Sequence, residues 1–184
     1  MDSITYILSQ VFIIISYLFL AFTYQIKNRK IILVYNFISL LATGMSYLFL
    51  SAYSGLAMTG VAIIRNIIFL IDEKKNGKSD KNSSKDYIIL GTLYLISILF
   101  AILTYKGMLS MMSVVATMLY TFSVWQKNTR LYKLLGIPVE TIGIIYNIYI
   151  FSVFGIILES ILAISAVVGY LRESNEKKYV KNNC

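Results

Sequence analysis

The sequence predicts an all-α polytopic membrane protein: seven transmembrane helices arranged as two parallel three-helix repeats joined by a linker helix. Three observations predict it. First, 58% of the 184 residues are apolar and the mean hydropathy is +0.71, whereas soluble domains hold roughly 45–50% apolar residues. Second, the apolar runs approach the roughly 20 residues that cross a bilayer and show no period-two alternation, which selects helices over membrane β-strands. Third, shifting the chain by 100 residues superimposes Phe22 on Phe122, Lys27-Asn28 on Lys127-Asn128, Gly55 on Gly155 and Glu73 on Glu173 without a gap.

Taken in order, the first span covers Ile4–Tyr24 and is followed by the basic loop Gln25–Lys30. The second covers Ile31–Leu50, and the uncharged turn Ser51–Gly55 leads into the third, Leu56–Ile71. The linker Asp72–Asp86 is rich in Lys, Asn and Ser, a composition of flexible connections. The fourth span, Tyr87–Thr104, ends in the turn Tyr105–Met108, and the fifth, Leu109–Trp125, in the loop Gln126–Lys133. The sixth is Leu134–Phe151 and the seventh Gly155–Leu171. This divides the chain into a first repeat (1–71), a linker with its helix (72–108), a second repeat (109–171) and a charged tail (172–184).

Charge placement orients these spans. Lys and Arg gather after spans 1, 3 and 5 and in the tail, whereas the N-terminus and the turns after spans 2 and 6 hold none and the turn after span 4 holds Lys106 alone. The positive-inside rule then puts the N-terminus outside and the C-terminus in the cytoplasm. The same distribution accounts for the net charge of +8 without nucleic acid as a partner. Tyr24, Tyr53, Tyr87, Tyr105, Trp125, Tyr132, Phe151 and Tyr170 lie near span ends, as interfacial anchors do. Met1-Asp2-Ser3 lacks a basic signal-peptide region.

A three-span unit reverses its direction when repeated, so one additional span restores the parallel relation. That is the expected role of span 4. Parallel repeats about an axis along the membrane normal are a transporter plan, with the substrate site between the halves. The 3+1+3 order with an external N-terminus resembles the SWEET sugar transporters, a plan shared with the PnuC vitamin-precursor transporters. The PQ dipeptide of PQ-loop relatives is missing, since the sole proline, Pro138, precedes Val139. A closer resemblance is to bacterial inner-membrane proteins of the YgjV type. It is carried by Phe49-Leu50-Ser51-Ala52-Tyr53-Ser54-Gly55 leading to Ile64-Arg65, and by Tyr146-Asn147 leading through Phe154-Gly155 to Glu159. It implies family membership more than a defined activity.

Polar residues within the spans fall on helical faces. Ser9, Ser16 and Thr23 recur every seven residues, and so do Thr59 and Asn66; Glu140, Gly143 and Asn147 also share a side. Ser39, Thr43 and Ser46 mark span 2, and Ser110, Ser113, Thr117 and Thr121 mark span 5. Such residues either mediate close helix packing or line a path. Intramembrane charge is costlier, about 2.5–3.5 kcal/mol at mid-bilayer. Arg65 and Glu140 each lie seven residues from the basic side, roughly 10 Å along a helix, so they are a candidate pair; the other reading of Arg65 is snorkelling to the surface. Glu159 lies roughly 6 Å from the opposite end, where it either favours a helix N-terminus or joins Asn147 in an external cluster. The substrate-path candidates are Arg65, Asn66, Glu140, Asn147, Glu159, Thr59, Ser16 and Thr117.

These features favour a facilitative or ion-coupled transporter of a small polar solute, with a structural or regulatory protein acting through helix packing as the alternative. Enzyme chemistry is not expected. The chain has no histidine, and its one cysteine is Cys184, so a serine nucleophile has no histidine base and a zinc site lacks its usual ligands. No phosphate-binding glycine loop is present. The expected partners are the lipid bilayer and a small solute, with homo-oligomerisation possible and no cofactor or metal implied.

Overall fold

The computed structural model describes residues 3–51, 53–76, 84–103, 108–149 and 151–182, which form seven α-helices with no strand among them. They are α1 (Ser3–Thr23), α2 (Arg29–Phe49), α3 (Tyr53–Asn76), α4 (Ser84–Leu103), α5 (Met108–Trp125), α6 (Thr129–Tyr149) and α7 (Val153–Asn182). The chain separates into two compact units, Met1–Gly77 and Lys78–Cys184. In the first, α2 packs against both α1 and α3; in the second, α4 packs on α5, α5 on α6 and α6 on α7. Among the described residues, three stretches are long and apolar enough to cross a membrane: Ile4–Thr23, Arg29–Phe49 and Val153–Asn175. Asp86–Leu99 and Val114–Trp125 are shorter apolar helices.

Helix starts are set by asparagine. Asn28 is extended and its side-chain oxygen accepts from Lys30 N at 3.0 Å and Ile31 N at 3.4 Å, which satisfies amides that the first helical turn leaves without partners. Asn128 accepts from Arg130 N at 3.0 Å in the same way. These caps correct the expected boundaries. Helix α6 begins at Thr129 rather than Leu134, so Lys133 is a buried helical residue and not a loop charge.

Two further boundaries move. Helix α3 continues past Ile71 to Asn76, because Glu73 is tied back to α2 and the cations Lys74 and Lys75 suit the negative end of the helix. Helix α7 runs on to Asn182, so the residues expected as a separate tail from 172 continue the last helix. Gly55 and Gly155 lie inside the first turns of α3 and α7. The left-handed positions of these turns are Ser51 (φ 53°) and Phe151 (φ 55°), again 100 residues apart. Ser51 N donates to Leu48 O and Phe151 N to Ile148 O, both at 3.1 Å.

The packing inverts that of a soluble bundle. On α1, Ser9, Ser16 and Thr23 are buried while Ile7, Val11, Ile14, Leu18 and Phe22 are exposed. Small polar groups permit close helix approach, and the apolar exterior is suited to lipid. Phe12 stacks on Phe49 and Phe19 meets Tyr35 edge-on, with centroids 5.7 and 5.5 Å apart, on either side of the Ser16 contact. In the second unit, Trp125 Nε1 donates to Asp86 O at 3.1 Å and its ring meets Tyr87 and Phe122, which fastens the start of α4 to the end of α5.

Candidate functional site

In the first unit, polar side chains follow the α2–α3 contact from end to end. Arg29 Nη1 donates to Glu73 Oε2 at 2.8 Å across the two helices, with both side chains largely buried. At the far end, Thr59 packs against Gly44, its methyl 3.7 Å from where a Cβ on Gly44 would stand. Between these contacts lie Asn36, Arg65 and Asn66, all buried. On the α1 side, Ser16 Oγ shares hydrogen bonds with Ser39 Oγ at 2.8 Å and Thr43 Oγ1 at 2.7 Å. Thr43 also donates to Ser39 O at 3.1 Å. The hydroxyl face predicted on α1 and α2 is therefore a hydrogen-bonded seam.

The second unit is built on the same register with different chemistry. Glu173 accepts from Lys133 Nζ at 2.8 Å and Thr129 Oγ1 at 2.9 Å. Arg130 donates to Ser174 Oγ at 2.9 Å and Tyr170 Oη at 3.2 Å and lies over the Tyr170 ring. Farther along, the Glu159 carboxylate lies over Gly143, its Oε2 2.7 Å from a Cβ built there. Only glycine leaves room for that approach. Asn147 Nδ2 donates to Gly143 O at 2.9 Å, and its side-chain oxygen occupies the space a Cβ on Gly155 would need. Glu140 is buried on α6, one turn before Gly143. Pro138 has no amide for Leu134 O, so the helix lacks one backbone bond just before Glu140.

A family model described as bacterial inner membrane protein, Imp-YgjV, matches residues 7–177. The chain belongs to the Imp-YgjV family. No curated protein matches, and neither does any solved structure.

Within this Imp-YgjV chain the predicted residues divide between the units. Ser16, Thr59, Arg65 and Asn66 lie in the first and Thr117, Glu140, Asn147 and Glu159 in the second. Asn147 and Glu159 each meet Gly143, Asn147 by donating to its carbonyl within α6 and Glu159 by lying over it from α7. Thr117 is half-buried on α5, where its carbonyl accepts from Thr121 Oγ1 at 2.8 Å. Arg65 is buried, so its side chain does not end in an exposed surface position. Ser110 and Ser113, expected on the α5 face, have side chains outside the described residues.

Sequence reasoning missed the buried ion pairs of the Imp-YgjV chain: Arg29–Glu73, Lys133–Glu173 and, at 3.8 Å, Lys127–Asp86. Arg29 and Lys133 had been read only as orienting loop charges. A signal was present: Glu73 continues the heptad of Thr59 and Asn66, and Glu173 matches Glu73 at the 100-residue shift. A carboxylate on a buried helical face needs a cation on the neighbouring helix.

Proposed function

We propose that the protein is a facilitative or ion-coupled transporter of a small polar solute. In this reading, seven spans form two parallel three-helix repeats around the linker helix α4, with the N-terminus outside and the C-terminus cytoplasmic. The observation that carries the reading is the recurrence of local structure at one offset. Asparagine caps at 28 and 128, left-handed residues at 51 and 151, and ion-paired glutamates at 73 and 173 all repeat every 100 residues. Two copies of a three-helix unit related in this way are a transporter plan. The polar faces, with Arg65, Asn66, Glu140, Asn147 and Glu159, would line the path. No catalytic role is proposed.

Buried charges support this reading, because an intramembrane ionisable residue is expensive and is retained for function or for a partner charge. The test is uptake of sugars, nucleosides, vitamins and amino acids into proteoliposomes. Arg65→Ala and Glu140→Ala should lower uptake of whichever solute is carried. Membrane-inserted variants with full uptake would remove both residues from the path.

One observation favours the second reading, a structural or regulatory protein working through helix packing. The Ser16, Ser39 and Thr43 hydroxyls bond one another, and a packing seam requires no more than that. Stable co-purification of a partner protein, together with no uptake across the panel, selects it.

A further inference from the structure

The register of the helix pairs isolates one layer. In α2–α3, Arg29 meets Glu73 at one end and Gly44 meets Thr59 at the other. Seven residues from the ion pair on each helix, about 10 Å along it, Asn36 on α2 and Asn66 on α3 stand at the same level. Thr59, Asn66 and Glu73 are spaced by seven, so Asn66 shares the face that its two neighbours turn toward α2. Asn36 is 1% exposed and Asn66 0%.

The Asn66 amide is unmet. Neither its nitrogen nor its oxygen has a hydrogen-bond partner among the described residues. Buried polar groups are almost always satisfied, and leaving one without a partner destabilises the fold. The hydroxyls of Ser16, Ser39 and Thr43 in the same unit are all bonded, whereas Arg29 Nε and Arg65 Nε share with the Asn66 amide the lack of a hydrogen-bond partner among the described residues.

The second unit shows that the fold does not require these amides. There Thr129 meets Glu173, Glu159 meets Gly143 and Asn147 meets Gly155. Seven residues along from Thr129 and Glu173, the corresponding positions are Gly136 and Ala166, both buried and Ala166 0% exposed. The same level of the corresponding helix pair thus carries small residues without side-chain hydrogen-bonding groups.

We infer that the Asn66 amide is a binding position for an uncharged solute group that offers a hydrogen-bond donor and acceptor side by side, such as a carboxamide or a pair of hydroxyls. An amide presents N–H and C=O in one plane, so it bonds such a group on both atoms, whereas a carboxylate leaves the N–H partner satisfied and the carbonyl facing negative charge. The asymmetry between units places this recognition in the first unit only. The inference deepens the transport reading by assigning solute class, and binding at Asn66 does not depend on transport being correct.

The test uses purified full-length protein in detergent, with acetamide and glucose as neutral probes at millimolar concentration and acetate as the charged control. At least one neutral probe should raise the Tm of the wild type in a concentration-dependent way, and acetate should not. Asn66→Ala, the residue the second unit already uses, and Asn66→Leu, which keeps the volume, should lose that shift. At least one of them should have a basal Tm equal to or above wild type, because an unmet amide has been removed. The inference is overturned if neither neutral probe shifts the wild type, if the shift survives both substitutions, or if both substitutions lower the basal Tm. Uptake in proteoliposomes separates the two readings. An Asn66-dependent shift without uptake removes transport and keeps the site, whereas uptake without any Asn66-dependent shift removes the site and keeps transport.

Discussion

Lys133 Nζ lies 2.8 Å from Glu173 Oε2 with the lysine side chain 1% exposed, and Arg29 Nη1 lies 2.8 Å from Glu73 Oε2 in the other unit. Each pair joins the two helices of its unit's last hairpin, α6 to α7 and α2 to α3, at the end away from the connecting turn. Removing one partner leaves a buried charge uncompensated, a loss of about 3–5 kcal/mol. Lys133→Met and Glu173→Met should each show that order of destabilisation in detergent unfolding. The double variant should recover most of the loss, because two apolar side chains need no partner. A double variant as unstable as the singles would place the cost elsewhere.

Glycine positions separate sharply. A methyl group on Gly143 would stand 2.7 Å from the Glu159 carboxylate, whereas nothing lies within 4 Å of one on Gly60 or Gly91. Replacing helical glycine by alanine is worth about 1 kcal/mol in propensity where space allows. Gly60→Ala and Gly91→Ala should therefore raise the Tm slightly or leave it unchanged. Gly143→Ala should displace the carboxylate end of the flexible Glu159 side chain, and so change the labelling of Glu159 by a carbodiimide. Unchanged labelling of Glu159 in Gly143→Ala would contradict the close approach.

Ser16 reaches two hydroxyls on α2 at once, Ser39 and Thr43. Interhelical hydrogen bonds in membrane proteins average about 0.6 kcal/mol and reach about 1.7, so Ser16→Ala should destabilise by about 1 kcal/mol. Ser16→Leu should be worse, because the seam depends on small residues. A double-mutant cycle with Thr43→Ala should return a coupling energy near the single-bond value. Independent effects would mean that the shared bond contributes little.

The helices and their polar faces were legible in the sequence because both follow from periodicity. Ser9, Ser16 and Thr23 recur every seven residues and are buried together; Asn147 and Glu159 were placed at one end of α6 and α7, where both meet Gly143. The ends of helices were less legible. Arg29, Lys133, Glu73 and Glu173 sit where an apolar run gives out, and composition alone assigns such residues to loops. What holds them in helices is a partner on the neighbouring helix, a tertiary fact that a one-dimensional scan lacks. Asn66 was visible as a candidate, but its unmet amide depends on what α2 places opposite it.

Membrane orientation can be tested with the natural chain. Cys184 is the sole cysteine, so an impermeant maleimide reports the side of the C-terminus without any substitution. The positive-inside rule predicts labelling of Cys184 in inverted vesicles and none in intact cells. In a Cys184→Ser background, Ser3→Cys should show the opposite pattern. An odd number of spans puts the termini on opposite sides whatever the orientation, so the two experiments separate parity from direction. Opposite patterns with both assignments reversed would keep seven spans and invert the protein. Both cysteines reacting from one side would require an even number of spans. The two three-helix units could not then be parallel copies flanking a single linker helix.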